Sequence, residues 1–111
     1  NISNRGKASL QAQATPLGRY KKAIADAIGS RWYYYVNNQM GLLNIGTVEI
    51  RFVVQPDGKV RDVKVLSNSS NESFASVSVS AIVEAEIPPI PEEVAKFLAN
   101  GRIEIDYSFT I

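Results

Sequence analysis

Two periods of apolar residues run through this chain, and they change at identifiable places. Leu17, Tyr20, Ile24, Ile28 (with Ala27), Trp32 and Tyr35 recur at spacings of three and four, which predicts one apolar stripe along a helix of about five turns. Thr15 is a good N-cap and Pro16 suits the first helical position, where its missing N–H costs nothing. Gly41, after "VNNQM", is the expected stop. The period then falls to two. Val48, Ile50, Phe52 and Val54 alternate with Thr47, Glu49, Arg51 and Val53, the pattern of a strand with one buried face. "QPDGK" is turn chemistry: Pro56 presets φ, Asp57 tolerates the bridge region, and Gly58 takes positive φ. "VRDVKVL" returns antiparallel with Val63 and Val65 inward, and a bulge near Val60–Arg61 brings Val60 into line.

Beyond residue 70 the helical period resumes. Asn71 or Ser73 serves as cap, and Phe74, Val77, Ala81, Ile82 and Ala85 make a second stripe. "IPPIP" breaks that helix, because Pro88 lacks a donor and clashes with the preceding turn; Ile87 and Ile90 are expected to pack inward. "PEEVAKFLANG" predicts a short helix from Pro91 with Asn100-Gly101 as its stop. Last, Ile103, Ile105, Tyr107, Phe109 and Ile111 alternate with Arg102, Glu104, Asp106, Ser108 and Thr110, the cleanest strand pattern in the chain. The order α-β-β-α-β makes an α+β fold. Three antiparallel strands form one sheet, two helices cover one face in a two-layer domain, and an extra short helix precedes the last strand. Residues 16–111 are the domain. Residues 1–15, polar, aperiodic and rich in small side chains, read as the end of a flexible linker.

Composition narrows the chemistry. The chain has 111 residues, 45% of them hydrophobic and 21% charged, with a net charge of +1, as in an ordinary globular domain. It contains no cysteine and no histidine, which removes thiolate nucleophiles, imidazole bases and nearly all zinc chemistry. No catalytic group, cofactor site or metal site is expected. The chain starts at Asn1 rather than Met and has no run approaching the roughly 18 apolar residues of a membrane span. It is therefore read as a piece of something longer, with any membrane anchor lying outside it.

Several stretches invite sharper readings. "RWYYYVNN" suggests a platform for stacking bases or sugars, but four consecutive aromatic positions spread around a helix; Trp32 and Tyr35 are assigned to the core and Tyr33 and Tyr34 to its margin. Arg5, Lys7, Arg19, Lys21, Lys22 and Arg31 make the first third basic, yet Glu49, Asp57 and Asp62 dilute any footprint for nucleic acid. Glu84, Glu86, Glu92 and Glu93 have structural places near helix ends and converge on no pocket by their spacing. "SNSSN" supplies a turn and a cap more naturally than a glycosylation site.

The ordered set Gly46-x-Val48-x-x-x-Phe52, Asp57-Gly58-x-Val60, Val63-x-Val65, Ser69-Ser70 before a helix with Phe74, then "PPIP" at 88–91 and a closing alternating strand, resembles the C-terminal domain of TonB and TolA proteins. The long leading helix with Trp32 near its end is more similar to the TolA-like branch. The resemblance covers roughly Pro16 to Ile111. It departs in two places: no Tyr-Pro pair precedes the first strand, and the leading tail is not proline-rich.

What the resemblance implies is a periplasmic domain of a protein anchored in the inner membrane of Gram-negative bacteria. Through its upstream regions such a protein is coupled to inner-membrane motor proteins driven by the proton-motive force. Its partner is an outer-membrane TonB-dependent receptor or a Tol-system protein. A segment of that partner adds to the last strand, here Arg102, Ile103, Glu104, Ile105, Asp106, Tyr107, Ser108, Phe109 and Thr110. Pro56, Asp57 and Gly58 are assigned a structural role in the hairpin. Two readings from other classes stand beside this one: a small nucleic-acid-binding module using the sheet or the aromatic helix end, and a self-associating domain, a homodimer paired through its own edge.

Overall fold

The computed structural model describes residues 15–111. The expected linker, except for Thr15, lies outside the described residues, as do Arg5 and Lys7. Helix α1 spans Pro16–Gln39, and a single 3-10 turn, Met40–Leu42, follows it. The remaining elements are β1 (Thr47–Val54), β2 (Val60–Asn68), α2 (Glu72–Glu84), α3 (Glu92–Ala95) and β3 (Ile103–Thr110). The sheet is antiparallel in the order β2-β1-β3. The expected α+β, two-layer architecture with an α-β-β-α-β order and a short extra helix is the one observed.

The Thr15 hydroxyl accepts from the Gly18 N–H at 2.9 Å, capping α1 with Pro16 in the first turn. At 24 residues α1 runs past its stripe into "VNNQ" and ends at Gln39. The buried line is Tyr20, Ile24, Ile28, Trp32 and Val36, flanked by Ala25 and Gly29. This strict spacing of four drifts around the helix, so Leu17 is exposed and Tyr35 only half-buried, while Val36 takes the inward place. Gly41 is not a left-handed stop: it sits inside the 3-10 turn, and Met40 caps α1 in a right-handed conformation.

Val48, Ile50, Phe52 and Val54 of β1 are completely buried. Trp32 packs against Phe74 of α2 at 6.0 Å and Phe109 of β3 at 5.6 Å between ring centroids, so one side chain joins both helices to the sheet. Asn71 caps α2, its side-chain oxygen accepting from the Phe74 N–H at 2.9 Å, while its amide nitrogen donates to the Leu42 carbonyl at 2.8 Å. Ser70 donates to the Asn44 carbonyl at 2.6 Å. "SNSSN" thus ties the end of β2 to the segment that leads into β1.

Three strand and turn expectations need correction. The bulge in β2 lies around Asp62, whose φ of 55° is the positive value among the non-glycine residues described, and a second irregularity lies near Leu66. With the strand bent twice, Val65 stands 43% exposed rather than inward, and only Val60 and Val63 reach the core margin. The helix after Pro91 is a single turn ending at Ala95, so Asn100-Gly101 belongs to the turn before β3 and stops no helix. Ile111, taken as an inward anchor, lies past the strand and is exposed, held through its backbone by Gly46.

The hairpin turn is built into the core. Gly58 donates to the Gln55 carbonyl at 2.8 Å with a φ of 88°, while Asp57 accepts from the Lys59 N–H at 3.0 Å. The turn then docks on the proline segment: Ile90 N–H donates to the Pro56 carbonyl at 2.9 Å, and the Tyr20 hydroxyl donates to the Pro88 carbonyl at 2.7 Å. Ile87 and Ile90 are buried as expected. A Cβ on Gly58 would lie 2.4 Å from the Ile87 carbonyl oxygen.

Gly58→Ala is expected to destabilise the domain by about 2–4 kcal/mol, since it adds backbone strain to a clash with fixed backbone. Urea unfolding checks this, and an unchanged midpoint would contradict the packed turn. Trp32→Ala is expected to cost about 3–5 kcal/mol by opening a cavity shared by α1, α2 and β3. Burial pushes the Tyr20 phenol up to about 12. A phenol favoured in its neutral folded form contributes stability that is full below about pH 10 and is lost as pH rises toward 12. Thermal unfolding of Tyr20→Phe should therefore show a weaker fall over that range than the native chain.

Candidate functional site

The edges of the sheet follow from its order: β1 is central, and β2 and β3 each have one side turned away from it. β3 pairs with β1 in an unbroken register, from Thr47 opposite Thr110 to Val54 opposite Ile103. Beyond it, Gly46 and Ile111 exchange both backbone hydrogen bonds, at 3.3 and 3.0 Å. Antiparallel pairs alternate between bonded and non-bonded, so Phe109, Tyr107, Ile105 and Ile103 turn their backbone groups toward β1. Glu104, Asp106, Ser108 and Thr110 turn theirs outward.

The same alternation sorts the side chains. Ile103, Tyr107 and Phe109 are buried beneath α1, and Ile105 is half-buried. The Tyr107 hydroxyl donates to the Ala25 carbonyl at 3.4 Å, placing α1 above β3. On the open face, Arg51 of β1 binds Asp106 through Nε at 2.8 Å and Nη2 at 3.1 Å, with Glu104 at 3.9 Å. The Arg51 guanidinium holds the Asp106 carboxyl below its ordinary value. Thr47 and Thr110 share a hydroxyl contact at 3.0 Å. Sequence reasoning placed Arg51, Glu104 and Asp106 at the polar positions of their strands but did not pair Arg51 with Asp106.

The two edges are not equivalent. β2 carries two irregularities, a positive-φ residue and the charged Arg61, Asp62 and Lys64, all of which hinder a further strand from pairing. β3 runs eight residues without a bulge. Of the residues named from sequence, β3 therefore brings Ile103 to Thr110 into one regular edge, with Arg102 just before it. Pro56, Asp57 and Gly58 lie at the opposite end of β1 from Gly46 and serve the hairpin turn and its dock on the proline segment.

The aromatic end of α1 is organised differently. Trp32 is core, whereas Tyr33 and Tyr34 are 48% and 58% exposed. Arg31 donates to Glu84 at 2.7 Å and stacks 5.6 and 5.8 Å from the Tyr34 and Tyr35 ring centroids; the Tyr35 hydroxyl donates to the same Glu84 oxygen at 2.5 Å. The Tyr35 hydroxyl and the Arg31 guanidinium hold the Glu84 carboxyl below its ordinary value of 4.5. Arg31 is thus committed to pinning α1 on α2. A polar cleft of about 310 Å³ opens beside this cluster, lined by Tyr35, Gln39, Glu72, Ser73, Ser76, Val77 and Ser80. Among the described residues, no group of three His, Cys, Asp or Glu side chains is placed to hold a metal ion, and no helix is long and apolar enough to cross a membrane.

Known proteins resemble this arrangement. The family model described as Gram-negative bacterial TonB protein C-terminal matches residues 35–109. Protein TonB of Haemophilus ducreyi is 28% identical over 98 residues, covering 87% of this chain and 34% of that protein. The chain thus spans about a third of the length of that curated relative. The solution structure of the Helicobacter pylori TonB C-terminal domain superposes with a TM-score of 0.59 at 23% identity, covering 85% of this chain and 80% of that one. At that identity the likeness concerns the fold alone.

The carboxylates of Glu84 and Asp106 both sit below their ordinary values, so each contributes stability that is present above that value and is lost as pH falls through the lower folded one. Stability is expected to decline as pH drops below about 4.5, and the decline should be shallower in Glu84→Gln. Urea midpoints across that range check it; parallel profiles for the two chains would contradict the role given to the Arg31–Glu84–Tyr35 cluster.

Proposed function

The chain belongs to the Gram-negative bacterial TonB C-terminal family, and we propose that it is the periplasmic partner-binding domain of a TonB-type energy transducer. In this reading an extended segment of an outer-membrane receptor, or of a Tol-system protein, adds to β3 as a fourth strand. Inner-membrane motor proteins act through regions outside this chain. The domain is a mechanical link and carries no catalysis.

The observation that carries the reading is the contrast between the edges: β3 is regular and turns the backbone of Glu104, Asp106, Ser108 and Thr110 outward, whereas β2 is bent twice. A segment laid along β3 pairs with it backbone to backbone. Each hydrogen bond contributes roughly 0.5–1.5 kcal/mol net, and ordering each residue of the segment costs about 1–2 kcal/mol. These nearly cancel, so backbone pairing alone gives weak binding and side chains decide which partner stays. A pull along the strand loads all the pairing bonds together, which suits transmission of force.

Titration with N-terminal peptides of outer-membrane receptors from the same organism, followed by NMR, tests the proposal. Saturable shifts are expected at the amides of Glu104, Asp106, Ser108 and Thr110, with those of β2 unmoved. Ser108→Pro removes an outward N–H while leaving the ladder to β1, a substitution an edge strand accommodates. It should leave the domain folded and weaken binding at least tenfold. Shifts confined to Tyr33–Tyr35, or unchanged affinity in the folded Ser108→Pro variant, would overturn the edge reading.

A further inference from the structure

We propose that Arg61 and Lys64, on the open face of β2, bind an extended acidic segment of another protein. The site is separate from β3 and does not rest on strand addition there. Arg61 and Lys64 are three residues apart, an odd spacing that puts side chains on opposite faces of a regular strand. Here they share one face. Arg61 is opposite Val53 and Lys64 opposite Arg51, the two positions of β1 that flank the completely buried Phe52 and so face away from the helices. The irregularity at Asp62 supplies the extra residue that re-aims the strand. Its φ of 55° is a left-handed conformation that costs stability in a residue other than glycine.

The alignment so produced is electrostatically unfavourable. Lys64 stands directly across from Arg51, and like charges in that relation repel. Arg51 is engaged by Asp106. Among the described residues no carboxylate lies within ion-pair distance of Arg61 or Lys64, and both are exposed. Asp62 has no position in the register with β1. The acids of this face stand at the margins of the strip: Glu49, which accepts from the Ser67 hydroxyl at 2.9 Å, and Glu104, opposite Val53 on β3. A strained backbone and a like-charge pair, both unfavourable to the fold alone, therefore converge on one place, and a partner's carboxylates relieve the repulsion. Arg61 and Lys64 are spaced as Val53 and Arg51 are, about 7 Å along a strand, which is also the distance between alternate side chains of an extended chain. Asp or Glu at every second position of the partner matches them. A nucleic-acid strand or an anionic membrane is broader than the strip and would cover Glu49 and Glu104 as well, whereas one extended segment does not.

The test uses this chain and two blocked peptides, one with Glu at every second position and Thr between, the other with Gln in place of each Glu. NMR titration reads the affinity and, through the amides of Arg51, Val53, Arg61 and Lys64, the site. The Glu peptide is expected to bind about threefold to tenfold more tightly at low salt, as two exposed ion pairs give. The difference should shrink as salt is added. Replacing both cations, Arg61→Gln with Lys64→Gln, should abolish the preference. Lys64→Gln alone removes the repulsion from Arg51, so its urea midpoint should equal or exceed that of the native chain. Equal affinities for the two peptides, shifts confined to other strands, a preference unmoved in the double variant, or a lowered midpoint in Lys64→Gln would each overturn the proposal. So would a single-stranded oligonucleotide or phosphatidylglycerol vesicles that bind the same strip more tightly than the Glu peptide, which would identify the occupant as nucleic acid or lipid.

Discussion

The constraint on which this domain depends is that β1 is shared. It is hydrogen-bonded to a strand on each side and supplies four completely buried side chains to the core, Val48, Ile50, Phe52 and Val54. Strands adjacent in sequence tend to pair, so β2 takes one flank through the short turn at Pro56–Gly58. The strand that returns after α2 is left with the other flank. Among the described residues the sheet has three strands and does not close, so β3 stands at one end of its order. Its position is thus a consequence of the hairpin that precedes it.

Trp32 converts that topology into a single body. Its ring lies between Phe74 and Phe109, so the long first helix, the second helix and the edge strand share one contact region. β3 is in this way held firmly on its inner face while its outer side is turned from β1. An edge that accepts a strand must be rigid before the strand arrives, since each residue left to order on binding subtracts about 1–2 kcal/mol from a small margin. The Arg51–Asp106 pair works in the same direction on the open face, fixing β3 to β1 by a bidentate contact.

Much of this was legible in the sequence because burial imposes a period. The stripes of α1 and α2 and the alternation in β1 and β3 each reflect one face against one core, and they located the elements and their order. What the period does not carry is register. Val65 alternates correctly with Val63, yet two irregularities in β2 turn it outward, and neither announces itself in "VRDVKVLSN", where the positive φ falls on Asp62 rather than on a glycine. Leu17 failed for a related reason: a spacing of four drifts against 3.6 residues per turn, so the first residue of a long stripe leaves the buried face. Which alternate residues of β3 turn their backbone outward is fixed only once the antiparallel ladder to β1 is known. Arg51 was invisible as a partner for Asp106 because long-range pairing depends on the register between β1 and β3, and a single sequence does not state it.

The irregularities of β2 then acquire a meaning that they lack when considered alone. A sheet with two equal edges would present two places for any extended segment, including its own copies. Bending one edge and charging it leaves a single regular strand among those described. For the mechanical role proposed above, binding built from weak, simultaneous contacts resists a pull along the strand yet is unzipped from one end.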